Sequence, residues 1–350
     1  MVFKEILKAV RKTYSVSCCF IADHRELQDE VVEDWLKGTS FPDEKQSKDF
    51  SARFAIPLNT ILNSIKEEKM KRILTIQDYS ARGRCSLTVA LPILSACEIE
   101  AIGLPTAVLS NHTAFASFTY HDLTSERLKS VENWKNYNHH FDRIYTGYLG
   151  NGQIPIVRKI MDELKEKDTK IVVDPAFGEK GKLYSGFDSN HVLARKELAK
   201  KADLLLPNLT EACFLIGKDY QSDFSMEDYK QILMQLKELN HKNAILTGIH
   251  RQDEVGALWN QGGQIDTYFT KAVPASFHGG GDTFASSLCG CLLNGLSRKD
   301  AVKVSHDFTH RARLDSIKDK TDPLLYGLEF EKELSYLHNQ IAIYQKKNEQ

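Results

Sequence analysis

The sequence lacks the short signatures of several common enzyme and binding classes. Its seven cysteines include no Cys-x-x-Cys pair, so a zinc or dithiol redox site is not indicated. It also contains no Walker loop, no Gly-x-Gly-x-x-Gly fingerprint and no Gly-x-Ser-x-Gly elbow. A P-loop enzyme, a Rossmann dinucleotide-binding protein and a serine esterase are therefore not indicated either.

Strong net charge and long apolar runs are also missing. The 46 basic and 47 acidic side chains leave a net charge of -1, which gives no electrostatic footprint for nucleic acid. No run reaches the roughly 18 apolar residues that cross a bilayer, and the opening MVFKEILKAVRKTY carries charges within its apolar stripe, unlike a secretory signal. We expect a cytoplasmic protein without a nucleic-acid or membrane partner.

What is present is a globular composition, with 42% hydrophobic and 27% charged residues among 350. The pattern changes near Met70, from polar and mixed to compact apolar runs separated by helical periods. We divide the chain into a small, mainly helical N-terminal extension of unknown role, residues 1–69, and a main domain, residues 70–345. The alternation of the main domain predicts an α/β fold with a mostly parallel central sheet flanked by helices on both faces.

Polar residues follow the predicted strands. In an open parallel sheet, ligands bind outside the carboxyl ends of the strands, so these side chains should gather at one edge. Helices are predicted over residues 154–164, 190–202, 227–239, 284–293 and 328–343, and a hairpin over residues 254–269. The residues expected at the sheet edge are Asp78, Tyr148, Asp174, Asn208 and Thr247.

The strongest local signal is a triple glycine followed by an acid, His278-Gly-Gly-Gly-Asp282, which opens an apolar helix. Glycines let backbone N–H groups turn toward a ligand, and a helix N-terminus favours phosphate oxygens. Asp282 could then accept a proton from a hydroxyl that attacks phosphorus. Two other interpretations are that Asp282 only caps a helix and that His278–Gly281 form a lipase-type oxyanion loop, although the nucleophile elbow of lipases is missing.

Seven motifs in order resemble the pyridoxal kinase branch of the ribokinase superfamily, over about four-fifths of the chain. An ordered set of this kind is more specific than any single motif. The motifs are Ile73-Leu-Thr-Ile-Gln-Asp78, Leu104-Pro-Thr-Ala-Val-Leu-Ser-Asn-His-Thr113, Tyr145-Thr-Gly-Tyr-Leu-Gly150, Val172-Val-Asp-Pro-Ala-Phe-Gly-Glu179, Pro207-Asn-Leu-Thr-Glu211, Ile245-Leu-Thr-Gly248 and Gly279-Gly-Gly-Asp282.

The resemblance implies ATP-dependent phosphorylation of the 5'-hydroxyl of a vitamin B6 vitamer. Asp282 would be the catalytic base, and Gly279, Gly280 and Gly281 the anion hole. Asn208 and Glu211 would organise Mg²⁺ and the nucleotide phosphates.

Three further residues complete the ATP site that the resemblance implies. Asp174 would support the same metal cluster as Glu211, and Thr247 and Glu179 would lie near the phosphates. Each residue has a structural alternative: Asn208 as a helix cap, Glu211 as a first-turn acid, Thr247 as a strand-end residue and Glu179 as a solvated loop carboxylate.

On the substrate side, the resemblance places Thr113 and Tyr148 against the pyridine ring. Asp78 is a departure, because many pyridoxal kinases have Ser there, and its carboxylate could favour pyridoxamine or pyridoxine over pyridoxal. Gly280 is a second departure, at a position where relatives commonly have Thr.

The resemblance also implies ATP and Mg²⁺ as cofactors, allows for a monovalent cation such as K⁺, and implies a homodimer. Two alternatives stay open. One is a hydroxymethylpyrimidine kinase of thiamine synthesis, and the other is a vitamer-binding regulatory protein with weakened catalysis.

Overall fold

In the computed structural model the chain divides into two compact units, Met1–Met70 and Lys71–Gln350. The structure describes residues 3–14, 21, 29–37, 40–62, 70–135, 140–318 and 323–348. Within these ranges, no helix is long and apolar enough to cross a membrane.

The smaller unit has helices α1 (Phe3–Tyr14), α2 (Asp29–Lys37) and α3 (Glu44–Phe54). Its core is aromatic: the ring of Phe3 meets the edges of Trp35 and Phe50 at centroid distances of 6.1 and 5.8 Å. The amphipathic spacing of the first helix explains why its apolar side chains are buried in this core.

The larger unit is built on a nine-stranded sheet with the order β11-β10-β9-β8-β5-β4-β1-β2-β3. Strands β9, β8, β5, β4, β1 and β2 are parallel, whereas β10, β11 and β3 are antiparallel additions at the two edges. A separate hairpin, β6-β7, lies outside this sheet. The strands are β1 (Arg72–Ser80), β2 (Glu100–Leu109), β3 (Tyr120–Asp122), β4 (Arg143–Thr146), β5 (Lys170–Val173), β6 (Gly178–Glu179), β7 (Lys182–Leu183), β8 (Leu204–Leu205), β9 (Asn243–Arg251), β10 (Glu254–Gln261) and β11 (Gln264–Lys271).

Helices cover both faces of the sheet. Successive side chains of a strand point to opposite faces, so the neighbours Ile73 and Leu74 belong to two different buried cores. The helices are α4 (Leu87–Ala96), α5 (Thr124–Lys135), α6 (Ile154–Leu164), α7 (Ser189–Ala199), α8 (Leu209–Ile216), α9 (Met226–Asn240), α10 (Gly280–Leu293), α11 (Arg298–Ser316), α12 (Pro323–Tyr326) and α13 (Leu334–Asn348), with a 3₁₀ turn at Glu331–Glu333.

This architecture confirms the predicted mostly parallel sheet, the helices on both faces and the helical N-terminal extension. The predicted hairpin is β10-β11, and α6 has the predicted bounds. Helix α10 begins four residues earlier than predicted, because Gly279 adopts a left-handed φ of 74° and starts the helix at Gly280. Helices α5, α8 and α11 and the short β6-β7 hairpin are among the elements that were not predicted. The five described cysteines are free, and all but Cys85 are buried.

Candidate active site

A cavity of about 620 Å³ lies where the chain leaves strands β5 and β8, and it extends along β9. The glycine turn before α10, the β6-β7 hairpin and one face of α11 complete its wall. The lining includes nine of the twelve residues that the sequence predicts for the site: Asp174, Glu179, Asn208, Glu211, Thr247, Gly279, Gly280, Gly281 and Asp282. A separate cavity lies at the opposite end of β9 and contains none of the twelve.

The glycine turn requires glycine at its first position. A Cβ added to Gly279 would lie 2.0 Å from the carbonyl oxygen of Arg84, and the residue has a left-handed backbone. The turn therefore packs directly on the segment that follows β1. Helix α10 starts at the next residue, so its first N–H groups face the cavity together with the positive end of the helix dipole.

Asp282 is the third residue of α10 and is partly exposed to the cavity. Its Oδ2 accepts a hydrogen bond of 2.9 Å from the backbone N–H of Ser86. Burial raises the pKa of Asp282 to about 6; the Ser86 bond opposes this effect and the nearby charge of Asp78 adds to it. A carboxylate with this pKa is ionised at neutral pH and can accept a proton from a hydroxyl group.

Ser86 was missed by the sequence reasoning. Its backbone has φ 51° and ψ −130°, a conformation that a residue with a side chain rarely adopts. Such strain persists where surrounding structure holds it, and here the strained residue directs its N–H to Asp282. No sequence pattern links two residues that are 196 positions apart.

Three carboxyl groups lie close enough to affect one another. Burial raises the pKa of Asp174, and the charges of Glu211 and Asp282 raise it further. Burial also raises the pKa of Glu211 to about 7, although hydrogen bonds from backbone N–H groups oppose the change. Within the ranges that the structure describes, no three His, Cys, Asp or Glu side chains converge to hold a metal directly. The cluster instead fits a hydrated divalent cation bound through water and phosphate oxygens.

Asn208 and Glu211 form a capping box at the start of α8. The Asn208 Oδ1 accepts from the Glu211 N–H at 3.0 Å, and a Glu211 carboxyl oxygen accepts from the Asn208 N–H at 2.9 Å. The other carboxyl oxygen accepts from the Phe177 N–H at 2.9 Å, and the Asn208 amide donates to the Gly178 carbonyl at 2.8 Å. The structural alternatives for both residues are thus observed, and their roles toward Mg²⁺ and phosphate stay predictions.

Thr247 and Glu179 both line the cavity. The Thr247 hydroxyl donates to the Pro207 carbonyl at 3.3 Å. Glu179 is exposed on β6 and lies 3.8 Å from Lys180, whose ammonium also donates to the Ser276 hydroxyl at 3.3 Å. Lys180 is a cation that lines the cavity and was not predicted from the sequence. Its position in the turn Gly178-Glu-Lys-Gly181, directly after the predicted site residue Glu179, could have indicated it.

The three predicted substrate residues do not line this cavity. Asp78 is buried, with Oδ2 accepting from the Ser80 hydroxyl at 2.9 Å and Oδ1 without a hydrogen-bond partner. Burial raises the pKa of Tyr148 to about 12, and the charge of Asp78 adds to the effect. Thr113 is exposed in the loop that follows β2. Their substrate roles stay predictions.

A cluster of aromatic and cationic side chains, in which His191 and Arg195 are buried and Phe187 is half-buried, supports Tyr148. Its ring stacks on Phe187 at 5.7 Å, and Phe187 stacks on His191 at 3.6 Å with an interplanar angle of 7°. Arg195 donates to His191 Nε2 at 3.1 Å and to the carbonyls of Gly147 and Leu149, on either side of Tyr148, at 3.2 and 2.8 Å. Phe187, His191 and Arg195 follow the four-residue spacing of one helix face, but no sequence pattern links them to Tyr148.

Comparison with known families gives one match that spans most of the larger unit. The sequence profile of the phosphomethylpyrimidine kinase family matches residues 93–322. A Bacteroides thetaiotaomicron protein provisionally assigned as a phosphomethylpyrimidine kinase is 36% identical, with a TM-score of 0.75 over 77% of this chain and 94% of that one. A second crystal form of that protein, obtained with pyridoxal, has a TM-score of 0.73.

Pyridoxal kinases are also similar to this chain. The enzyme of Lactobacillus plantarum is 28% identical, with a TM-score of 0.72 over 79% of this chain and 99% of that one. The enzyme of Dictyostelium discoideum is 28% identical over 184 residues, which are 51% of this chain and 60% of that enzyme. The match to the Dictyostelium enzyme thus covers less than two thirds of its length.

Proposed function

The chain belongs to the phosphomethylpyrimidine kinase family, and we propose that it transfers the γ-phosphoryl group of ATP to the 5'-hydroxyl of a vitamin B6 vitamer. The resemblance to pyridoxal kinases of the ribokinase superfamily is confirmed, and with it a phosphotransferase that acts on an alcohol group. The vitamer as acceptor is supported by the pyridoxal kinases among the relatives and by the crystal form with pyridoxal.

The observation that carries the proposal is the position of Asp282 behind the glycine turn. Its carboxylate, ionised above pH about 6, takes the proton of the attacking hydroxyl. The hydroxyl oxygen forms the new bond to the γ-phosphorus as the bond to the ADP oxygen breaks. The N–H groups of Gly279–Gly281 and the start of α10 stabilise the negative charge on the transferring group.

Asp174 and Glu211 would hold Mg²⁺ through bound water, and the ion would neutralise charge on the phosphate oxygens. Their mutual effect on pKa supports this role, since a cation beside them offsets the repulsion between their carboxylates. Asn208 keeps Glu211 in place, and Thr247 and Glu179 border the phosphate region.

On the acceptor side, we assign Asp78, Thr113 and Tyr148 to recognition of the vitamer. The free Oδ1 of Asp78 and the supported ring of Tyr148 favour this role, because one can accept a hydrogen bond and the other can pack on a pyridine ring. A homodimer and a monovalent cation such as K⁺ are further parts of the proposal, and both rest on the resemblance alone.

Hydroxymethylpyrimidine is the second candidate acceptor, and the family match is the observation that favours it. The decisive experiment offers pyridoxal, pyridoxine, pyridoxamine and hydroxymethylpyrimidine separately, with ATP and Mg²⁺, and measures phosphorylated product. We expect turnover with at least one B6 vitamer at a higher kcat/KM than with hydroxymethylpyrimidine. The reverse order would assign the protein to thiamine synthesis, and vitamer binding without product would indicate a regulatory protein.

Residues 70–345 are proposed as the kinase domain. The chain expressed from Met70 should then retain the activity of the full chain in the same assay. Loss of activity in a folded truncated protein would show that residues 1–69 take part in catalysis.

A further inference from the structure

One face of α11 borders the cavity, although no part of this helix entered the predicted site. His306, Thr309, His310 and Arg313 follow the three- and four-residue spacing that places side chains on one side of a helix, and all four line the cavity. This face brings the guanidinium group of Arg313 next to the glycine turn.

The contact with the turn depends on glycine at position 280. A Cβ added to Gly280 would lie 3.2 Å from Nη2 of Arg313 and 4.0 Å from its Nε. The guanidinium group therefore lies close against the side of the turn from which a side chain at position 280 would project, and even a methyl group there would crowd it. Gly280 and Arg313 are complementary in shape: the absence of one side chain leaves room for the other.

Arg313 forms no ion pair or hydrogen bond with an acidic side chain in the described part of the chain. Burial lowers its pKa, and the charge of Glu179 opposes this change, but Glu179 is paired with Lys180. A guanidinium group thus lies against the positive end of α10 in a partly desolvated place, which is unfavourable until an anion binds between them.

We propose that Arg313 is a phosphate-binding residue of this site, whose guanidinium group contacts the γ-phosphoryl oxygens of ATP during transfer. The inference rests on the proposed kinase function and adds a side chain to an anion hole otherwise built from backbone N–H groups. Its place beside Gly280, two residues before the base Asp282, selects the γ-phosphoryl group over the rest of the nucleotide. The planar fork of guanidinium matches two phosphate oxygens at once.

The test compares the affinities for ATP and ADP in the presence of Mg²⁺ and without acceptor, by calorimetry. Hydrogen bonds to charged groups contribute enough that Arg313→Met should weaken ATP binding about 10- to 100-fold. ADP lacks the γ-phosphoryl group, so its affinity should change less than about 3-fold. Arg313→Lys keeps the positive charge but loses the planar fork, so its ATP affinity should lie between those of the wild type and Arg313→Met. It also allows the same comparison of ATP with ADP if Arg313→Met does not fold.

Arg311→Met is the matched control, because Arg311 lies on the same helix, pairs with Glu333 and does not line the cavity. It should leave the ratio of ATP to ADP affinity unchanged. Gly280→Ala, whose Cβ would crowd the guanidinium group, should lower ATP affinity selectively but by less than Arg313→Met does. Equal weakening of ATP and ADP, or no weakening, would overturn the assignment.

A purely structural role for Arg313 would lower the melting temperature without separating the two nucleotides. Because no acceptor is present, the binding test also does not depend on which alcohol is phosphorylated. Failure of the wild-type protein to phosphorylate any B6 vitamer would therefore refute the proposed function and leave the result for Arg313 separate.

Discussion

Replacing Asp282 with Asn should remove catalysis and at the same time stabilise the fold. The change is nearly isosteric, and the Asn side-chain oxygen can still accept the 2.9 Å hydrogen bond from the Ser86 N–H. Removal of a general base costs about 10²- to 10⁴-fold in rate. We expect kcat to fall within this range while vitamer and ATP affinities stay close to those of the wild type.

The gain in stability follows from the raised pKa of Asp282. Burial moves it from the usual 3.8 to about 6, and one pKa unit corresponds to about 1.4 kcal/mol. At pH 7.5 the ionised carboxylate therefore destabilises the folded state by up to about 3 kcal/mol, which Asn removes. Because the folded pKa is the higher one, this penalty develops as pH rises from about 4 to about 6. The two proteins should be equally stable below pH 4.

Both effects are measurable on the same pair of proteins. Initial rates from pH 5 to 8.5 should show the wild-type kcat/KM for the vitamer falling below pH about 6, as the base becomes protonated. Denaturant unfolding at pH 7.5 should show the greater stability of Asp282→Asn. Near-normal turnover by the variant would refute the role as base, and lower stability would refute the electrostatic argument.

Three further predictions concern the residues around this base. Asp78→Ser should lower the kcat/KM for pyridoxamine relative to pyridoxal about 10-fold, and an unchanged ratio would refute the role of its free oxygen in vitamer choice. Asn208→Ala should lower the free energy of unfolding by about 1 to 2 kcal/mol, because α8 loses its cap; denaturant titration checks this value. Glu211→Gln should raise the Mg²⁺ concentration for half-maximal activity about 10-fold, since one charge of the cluster is removed; an unchanged requirement would contradict the metal role.

The sequence was sufficient for those features that depend on local pattern. The parallel sheet followed from apolar runs separated by helical periods, and the polar residues at strand ends placed Asp174 and Asn208 in the cavity. The three-residue spacing of Asn208 and Glu211 is also typical of the capping box that they form. In each case the residues are either close together in the chain, as Asn208 and Glu211 are, or lie at the same end of successive parallel strands.

The remaining features depend on contacts between distant segments. The strained backbone of Ser86 directs an N–H group to Asp282, which is distant in the chain. Arg313 reaches the site because α11 packs beside the start of α10. From the sequence alone, glycine at position 280 indicates only the loss of the Thr side chain that relatives commonly have there. In the structure the guanidinium group of Arg313 lies against this glycine, and we propose that it is the group that donates to an anion there.

The site combines two groups of charged side chains, one acidic and one basic. Each is electrostatically unfavourable on its own, and each would be stabilised by a part of the ligand that carries the opposite charge. The charges of Glu211 and Asp282 raise the pKa of Asp174, whereas Arg313 lies at the positive end of α10. A metal–nucleotide complex presents a cation to the first group and phosphate oxygens to the second. Phosphoryl transfer depends mainly on positioning and on stabilising charge, which is the role we propose for these two groups of residues. Like charges brought together in this way lower the stability of the protein, and a bound cation or anion would offset that cost. Replacing Asp282, the proposed base, should therefore remove activity and raise stability together.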